Sequence, residues 1–342
     1  MVSTTSHSRS RSFLVLGSTI AGACLTILML PSLFDSLPNE LMRTQVLLKS
    51  LHGEATPLPK VAVLGNSIAM NGINTKLLGS ELPDSPVAWN LSSTGQLLIE
   101  STLIVDELPD QVDAVILTLF TDDLIKDASQ VPRSKLIAYL QYGYQPSNPT
   151  LTTLRKVGSP DVVDVLSKSK LQITLESRWA IRSAIDISSR QLLRKDLDLA
   201  NAATNLFYPS PFTKQQSLQV IETVIERSFP QLTADQGHLS QSAAELLTAL
   251  AGHLAERKIA FYIALLPEHP LLRQRREDGF YDNLISDLNQ LGQQINTPVF
   301  SFVPLLKESQ FIDQVHPNAE GAQLLTKALA KEINKLQPGG DQ

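Results

Sequence analysis

The chain has 342 residues, 43% of them hydrophobic and 18% charged, with a formal net charge of −5. That length buries a sizeable core as one large domain or two small ones, and the excess of acid gives no electrostatic reason to expect a nucleic-acid partner. Cys24 is the only cysteine, so there is no disulfide framework and no cysteine metal site. The six histidines (His7, His52, His238, His253, His269 and His316) form no HxxxH or HExxH cluster, which speaks against a catalytic zinc.

In chain order, residues 1–12 read as a cytoplasmic tail. Residues 13–34 are uncharged and largely apolar, close to the ~20 residues that cross a bilayer as a helix. Arg9 and Arg11 precede this stretch, and Asp35 and Glu40 follow it. The positive-inside rule therefore keeps the short tail in the cytoplasm and exports the rest, into the periplasm if the cell is of the Gram-negative type. Two other readings compete with a single-pass anchor. A cleaved signal peptide has a shorter apolar core and a small-x-small site at its end, whereas Ala21-Gly22-Ala23 sits in mid-stretch. A lipid-modified Cys24 would leave the apolar run continuing past the modified residue.

Residues 35–58 are expected to be a tether with some helix over 41–51, ending in Pro57-Leu58-Pro59. An α/β domain is expected over 59–337, followed by a short tail at 338–342. Short apolar runs at 61–64, 87–91, 114–120, 259–266 and 298–303 suit buried parallel strands. Helices are expected near 97–108, 240–257, 281–291 and 317–336. The last of these carries an apolar stripe of Ala319, Ala322, Leu325, Ala328, Leu329 and Ile333, with Pro317 in its first turn. This alternation predicts a three-layer α/β/α sandwich around a parallel sheet of about five strands. A helical insertion, expected to be a cap or subdomain, interrupts it at about 124–238. That insertion includes a stretch at 171–197 bearing Trp179, Arg178, Arg182, Arg190, Arg194 and Lys195. The basic side chains suit contact with an anionic polymer or lipid surface, or a solvated face interleaved with Glu176 and Asp186.

Catalytic groups in such sheets lie at the carboxyl ends of the strands. Ser67 in Gly65-Asn66-Ser67, Gly95, Thr121-Asp122-Asp123 and Asp313-Gln314-Val315-His316 all follow predicted strands. A serine, a histidine and a carboxylate three residues before that histidine supply nucleophile, base and orienter for acyl transfer. Each part has a plainer reading: Asn66 or Ser67 as a helix cap, and Asp313–His316 as a loop before a helix. Gly65 to Gly72 lacks the GxGxxG spacing, and no GK[ST] ending makes a phosphate loop.

Gly65-Asn66-Ser67, Asn90-x-x-x-x-Gly95 and Asp313-x-x-His316, in this order and these strand contexts, resemble the SGNH (GDSL-like) hydrolase superfamily. The similarity covers about 58–123 and 240–337. It implies a flavodoxin-like SGNH fold with Ser67 as nucleophile, His316 as base and Asp313 as its orienter. The N–H groups of Ser67 and Gly95 would contribute to an oxyanion hole, and Asn90 would line the substrate site. The third block departs from the family: Phe120-Thr121-Asp122-Asp123 stands where Gly-x-Asn-Asp is usual. An ionised Asp122 accepts hydrogen bonds where asparagine would donate one to the oxyanion. Either the Thr121 hydroxyl replaces that donor or the hole has two donors, with Asp122 left as a substrate contact.

Membrane-anchored proteins with divergent middle blocks resemble those that act in O-acylation of cell-envelope polysaccharide. This implies an acyl-ester or glycan substrate, a membrane acyltransferase as partner and no cofactor. The alternative is a non-catalytic envelope binding or assembly protein that retains the scaffold. His269, after the fourth strand, is a candidate substrate contact or a turn histidine. His238 and His253 read as surface or helix residues. Asp122-Asp123 lacks visible partners for a metal.

Overall fold

The computed structural model describes residues 42–54, 57–157, 159–169, 172–173 and 204–336. The apolar stretch 13–34, its charged flanks, Cys24, and the basic stretch with Trp179 and Arg178 through Lys195 lie outside the described residues. Among the described residues no helix is long and apolar enough to cross a membrane.

Five strands, β1 (Val61–Leu64), β2 (Ala88–Asn90), β3 (Ala114–Leu119), β4 (Ala260–Leu265) and β5 (Val299–Ser301), form one parallel sheet in the order β2-β1-β3-β4-β5. Each falls within the apolar run that predicts it, trimmed by up to a few residues where the ladder ends. This is the flavodoxin-like order, whose direction of winding reverses between β1 and β3. Alternate residues along the strands feed two separate cores. Ala62, Leu64, Val115, Leu117, Ile263 and Leu265 face one, while Val61, Val63, Ile116 and Ala264 face the other. Burial on both faces is why these strands read as continuous apolar runs rather than as alternation.

Helices α1 (Met42–Lys49), α2 (Ser67–Gly72), α3 (Thr75–Glu81), α4 (Leu98–Asp106) and α5 (Thr121–Ile125) are interleaved with the first three strands. The described insertion contributes α6 (Arg133–Gln141), α7 (Asn148–Lys156), α8 (Pro160–Leu166) and α9 (Leu218–Ser228). Then come α10 (Gln241–Glu256), α11 (Pro270–Arg273), α12 (Phe280–Gln294) and α13 (Ala319–Lys335). The first core takes α4, α10 and α12, and the second takes α2, α3 and α13. Helices therefore cover both faces, and the architecture is α/β/α.

Three expectations change. Residues 42–51 are not a free tether: Leu47, Leu48 and Leu51 are buried in the first core, and α1 packs against α6. Pro317 does not lie in the last helix, because Asn318 caps α13 by accepting from Gly321 N at 3.0 Å. The described insertion helices are not a detached cap. Leu136, Ile137, Leu154, Val162 and Leu166 join the same core as the sheet.

Candidate active site

At the end of β1 the chain passes very close to β3. A Cβ on Gly65 would stand 2.1 Å from Thr118 Oγ1 and 2.9 Å from Thr118 O. Thr118 cannot turn away freely, since its hydroxyl donates to Leu64 O at 2.7 Å. Glycine is thus required by close approach. Asn66 then takes an extended conformation, and its Oδ1 accepts from Ile68 N at 2.9 Å. Capping is therefore the work of Asn66, and Ser67, as the first residue of α2, keeps its hydroxyl for another partner.

That partner is His316, 249 residues away, whose Nε2 lies 2.9 Å from Ser67 Oγ. Its Nδ1 lies 2.8 Å from Asp313 Oδ2 and 3.0 Å from Oδ1. With Nδ1–H directed at the carboxylate, Nε2 is left to accept the serine proton. The loop that carries both residues is pinned locally. Ile312 N donates to His316 O at 2.8 Å, Phe311 and Pro317 form an antiparallel bridge, and Asp313 Oδ1 accepts from the amides of Val315 (2.9 Å) and His316 (2.8 Å). Burial alone raises the Asp313 carboxyl. The hydrogen bonds and charge of His316, with the two loop amides, outweigh it and hold the group below its ordinary value. Asp313 is 5% and His316 7% exposed, so the pair is largely shielded from water, while Ser67 remains partly open.

The third block is arranged around its two carboxylates. Asp122 is paired with Arg276 Nη2 at 3.3 Å and with Lys126 four residues on. Its charge is therefore compensated from two sides. Asp123 Oδ2 accepts from Phe120 N at 2.9 Å and from Asn66 Nδ2 at 3.1 Å, which ties the turn after β3 to the turn that presents Ser67. Asp123 is partly exposed as a residue, yet its carboxyl lies within the protein, and burial pushes it up to about 7, against the Phe120 amide. Thr121 is wholly buried beside Glu268, whose carboxyl is itself raised by burial and accepts from Tyr281 OH at 2.6 Å.

A native carboxyl that holds its proton longer than the unfolded one contributes stability fully present below pH about 4 and lost as pH rises through about 7. Urea unfolding of Asp123→Asn should therefore show a flatter decline between pH 5 and 7.5 than the parent. Equal slopes in the two proteins would refute the assignment.

The remaining candidates lie at the same sheet edge with different surroundings. Gly95 is exposed, at φ +60, and its carbonyl is held by Lys135 Nζ, which also pairs with the buried Glu100 at 2.7 Å. Asn90 has no exposed surface. Its Nδ2 donates to Ala69 O (3.0 Å) and Ile73 O (2.9 Å), and its Oδ1 accepts from Ser92 N (3.1 Å). It thereby fastens α2 to β2. His269 is also fully buried, caps α11 by accepting from Leu271 N at 3.2 Å, and meets the Phe311 ring edge-on at 5.1 Å. Neither Asn90 nor His269 has exposed surface. Burial lowers the His269 imidazole, against the nearby acids Glu308 and Asp313.

His238 is half exposed and meets Asp287 at 2.9 Å, and His253 lies on α10 with Nε2 3.6 Å from Asp106. Among the described residues no three His, Cys, Asp or Glu side chains are grouped to hold a metal.

Sequence reasoning missed three contributors. Arg43 donates to Ser92 O (2.6 Å), to Asn205 O (3.0 Å) and to Asn90 O. Asn71, on α2, bonds to Phe212. Phe212 itself stacks on the His316 ring, with centroids 4.0 Å apart and planes 18° apart. Only Asn71 carried a hint, since it lies in the string that presents Ser67; an isolated phenylalanine in an insertion gives none. No protein-family model matches the chain, and no curated protein matches it.

Proposed function

We propose that the chain is an SGNH-like serine acyl-ester hydrolase or O-acyltransferase, anchored by residues 13–34 and acting outside the cytoplasm on cell-envelope glycan. The observation that carries this reading is the unbroken series Ser67 Oγ, His316 Nε2, His316 Nδ1 and Asp313 at hydrogen-bond distances, on the carboxyl edge of a parallel sheet. Ser67 attacks the ester carbonyl as His316 takes its proton. The imidazolium, steadied by Asp313, returns that proton to the departing alcohol. Water, or a sugar hydroxyl deprotonated by the same imidazole, then resolves the acyl-enzyme. A partner acyltransferase in the membrane would supply the acyl group for the transfer reaction.

In this reading the first oxyanion donor is the Ser67 N–H, at the start of α2. The Gly95 amide is the second donor in this reading. Asp122 adds none: its carboxylate is engaged by Arg276 and Lys126. Loss of one such donor costs about 2.7–4 kcal/mol of barrier, so turnover of simple esters is expected to be slow. The same observation favours a second reading, a non-catalytic glycan-binding or assembly protein on this scaffold.

A fluorophosphonate probe separates the two. The full-length chain should be labelled on Ser67, and Ser67→Ala and His316→Ala should not. A folded parent protein that resists the probe over hours, while a known serine esterase reacts beside it, would exclude the catalytic reading.

A further inference from the structure

The His316 imidazole has two edges and two faces. Asp313 and Ser67 take the edges, and Phe212 covers a face. Phe212 is only half-buried, so its ring is not simply part of the core. It belongs to residues 204–216, a strap within the insertion that leads into α9.

The strap is tied to both halves of the site. Ser210 N donates to Met70 O at 3.1 Å, and Thr75 donates to Phe207 O through its amide (3.0 Å) and its hydroxyl (2.9 Å). Asn71 clips the Phe212 peptide from both sides: its Nδ2 donates to Phe212 O at 2.7 Å, and Phe212 N donates to its Oδ1 at 3.3 Å. The same Nδ2 lies 3.5 Å from Pro317 O, next to the histidine. Beyond Phe212, Gln216 N donates to Ile312 O at 2.8 Å and Gln215 Nε2 donates to Phe311 O at 2.9 Å. One segment of the insertion therefore bridges the helix that begins at Ser67 and the loop that bears Asp313 and His316.

We propose that Phe212 is a positioning residue for the base: its flat face sets the plane of the His316 ring, so that Nε2 stays on Ser67 while Nδ1 stays on Asp313. This inference rests on the proposed acyl-transfer reading. The two edge bonds fix where the ring nitrogens point but leave it free to tilt. A nearly parallel ring at van der Waals distance removes that freedom and keeps water from one side of the His316–Asp313 bond, where a lower local dielectric strengthens it. The insertion is in this view a component of the catalytic centre, and Asn71 is the clip that sets its register against the nucleophile.

The test uses the full-length chain and two readouts. The first is the rate of fluorophosphonate labelling in Phe212→Ala, Phe212→Leu and Phe212→Tyr. Displacements of about 1 Å cost on the order of a hundredfold in such chemistry, so Phe212→Ala should label about ten- to a hundredfold more slowly. Phe212→Tyr, which keeps the flat ring, should stay near the parent. Phe212→Leu keeps bulk and stability but has no flat face, and should remain slow. The second readout needs no catalysis: the His316 Nδ1–H proton resonance should be sharp in the parent and in Phe212→Tyr, and lost to water exchange in Phe212→Ala.

Parent-like labelling of Phe212→Leu, or an unchanged Nδ1–H signal in Phe212→Ala, overturns the proposal. If the parent protein does not react at all while the signal still collapses in Phe212→Ala, the positioning role stands and the acyl-transfer reading falls.

Discussion

On the proposed acyl-transfer reading, Ser67→Ala should reduce acyl-ester turnover by about a millionfold, and Asp313→Asn by about ten-thousandfold, while both proteins unfold at the parent's temperature. The first figure follows from removing the nucleophile of a unit whose members act together. The second follows from the tautomer. An asparagine at 313 could turn its amide N–H towards Nδ1, which would then have to be an acceptor; Nε2 would carry the proton and could not take one from Ser67. The two backbone bonds that Asp313 Oδ1 accepts from Val315 and His316 can be kept by an amide oxygen, so the loop should survive the change. The check is turnover of a chromogenic acetyl ester beside thermal unfolding. Asp313→Asn turning over at more than a tenth of the parent rate would mean that the histidine is not oriented for proton transfer by this carboxylate.

Arg43→Ala is expected to be the most damaging single change outside the site. The Arg43 side chain is buried and satisfies the carbonyls of Asn90, Ser92 and Asn205. Asn90 and Ser92 are themselves fully buried, so water cannot readily replace the guanidinium. Leaving a buried carbonyl unmet costs about 1–3 kcal/mol, and the vacated space adds to this, for a loss of roughly 3–5 kcal/mol. In a domain of this size that lowers the melting temperature by roughly 10 °C. Arg43→Lys should not recover it, because a single ammonium cannot address three carbonyls in the fork geometry of arginine. A melting temperature within about 2 °C of the parent, measured by calorimetry of Arg43→Ala, would show α1 to be the loose tether that its sequence suggests.

The contrast between these two cases marks what sequence patterning can carry. The sheet was legible because a strand buried on both faces leaves an uninterrupted apolar run, as in Val61-Ala62-Val63-Leu64 and Ala114 to Leu119. Helix starts were legible where a side chain caps them, though Asn318 rather than Pro317 performs that task at α13. Residues 42–51 misled because α1 combines Arg43, Thr44 and Gln45 with its leucines. Polar side chains read as solvated until a partner is seen, and the carbonyls that bury Arg43 come from residues 90, 92 and 205. Asn90 and His269 were legible as polar residues at the carboxyl edge of the sheet, but whether they face solvent or neighbouring backbone is set by contacts distant in sequence.

The sequence by itself determined the α/β class, the number of strands, and which residue types stand after them: Ser67 after β1, the acidic block after β3, Asp313 and His316 after β5. Local rules suffice for these, because burial period, turn chemistry and capping act over a few residues. Tertiary structure alone decided the distances, 2.9 Å across 249 residues from Ser67 to His316, and the company the site keeps. Phe212 against the imidazole, Asn71 on the Phe212 peptide and Arg276 on Asp122 pair residues 104, 141 and 154 positions apart. Such contacts leave no periodic trace in the chain, because packing selects them only after the sheet has brought its carboxyl edge together.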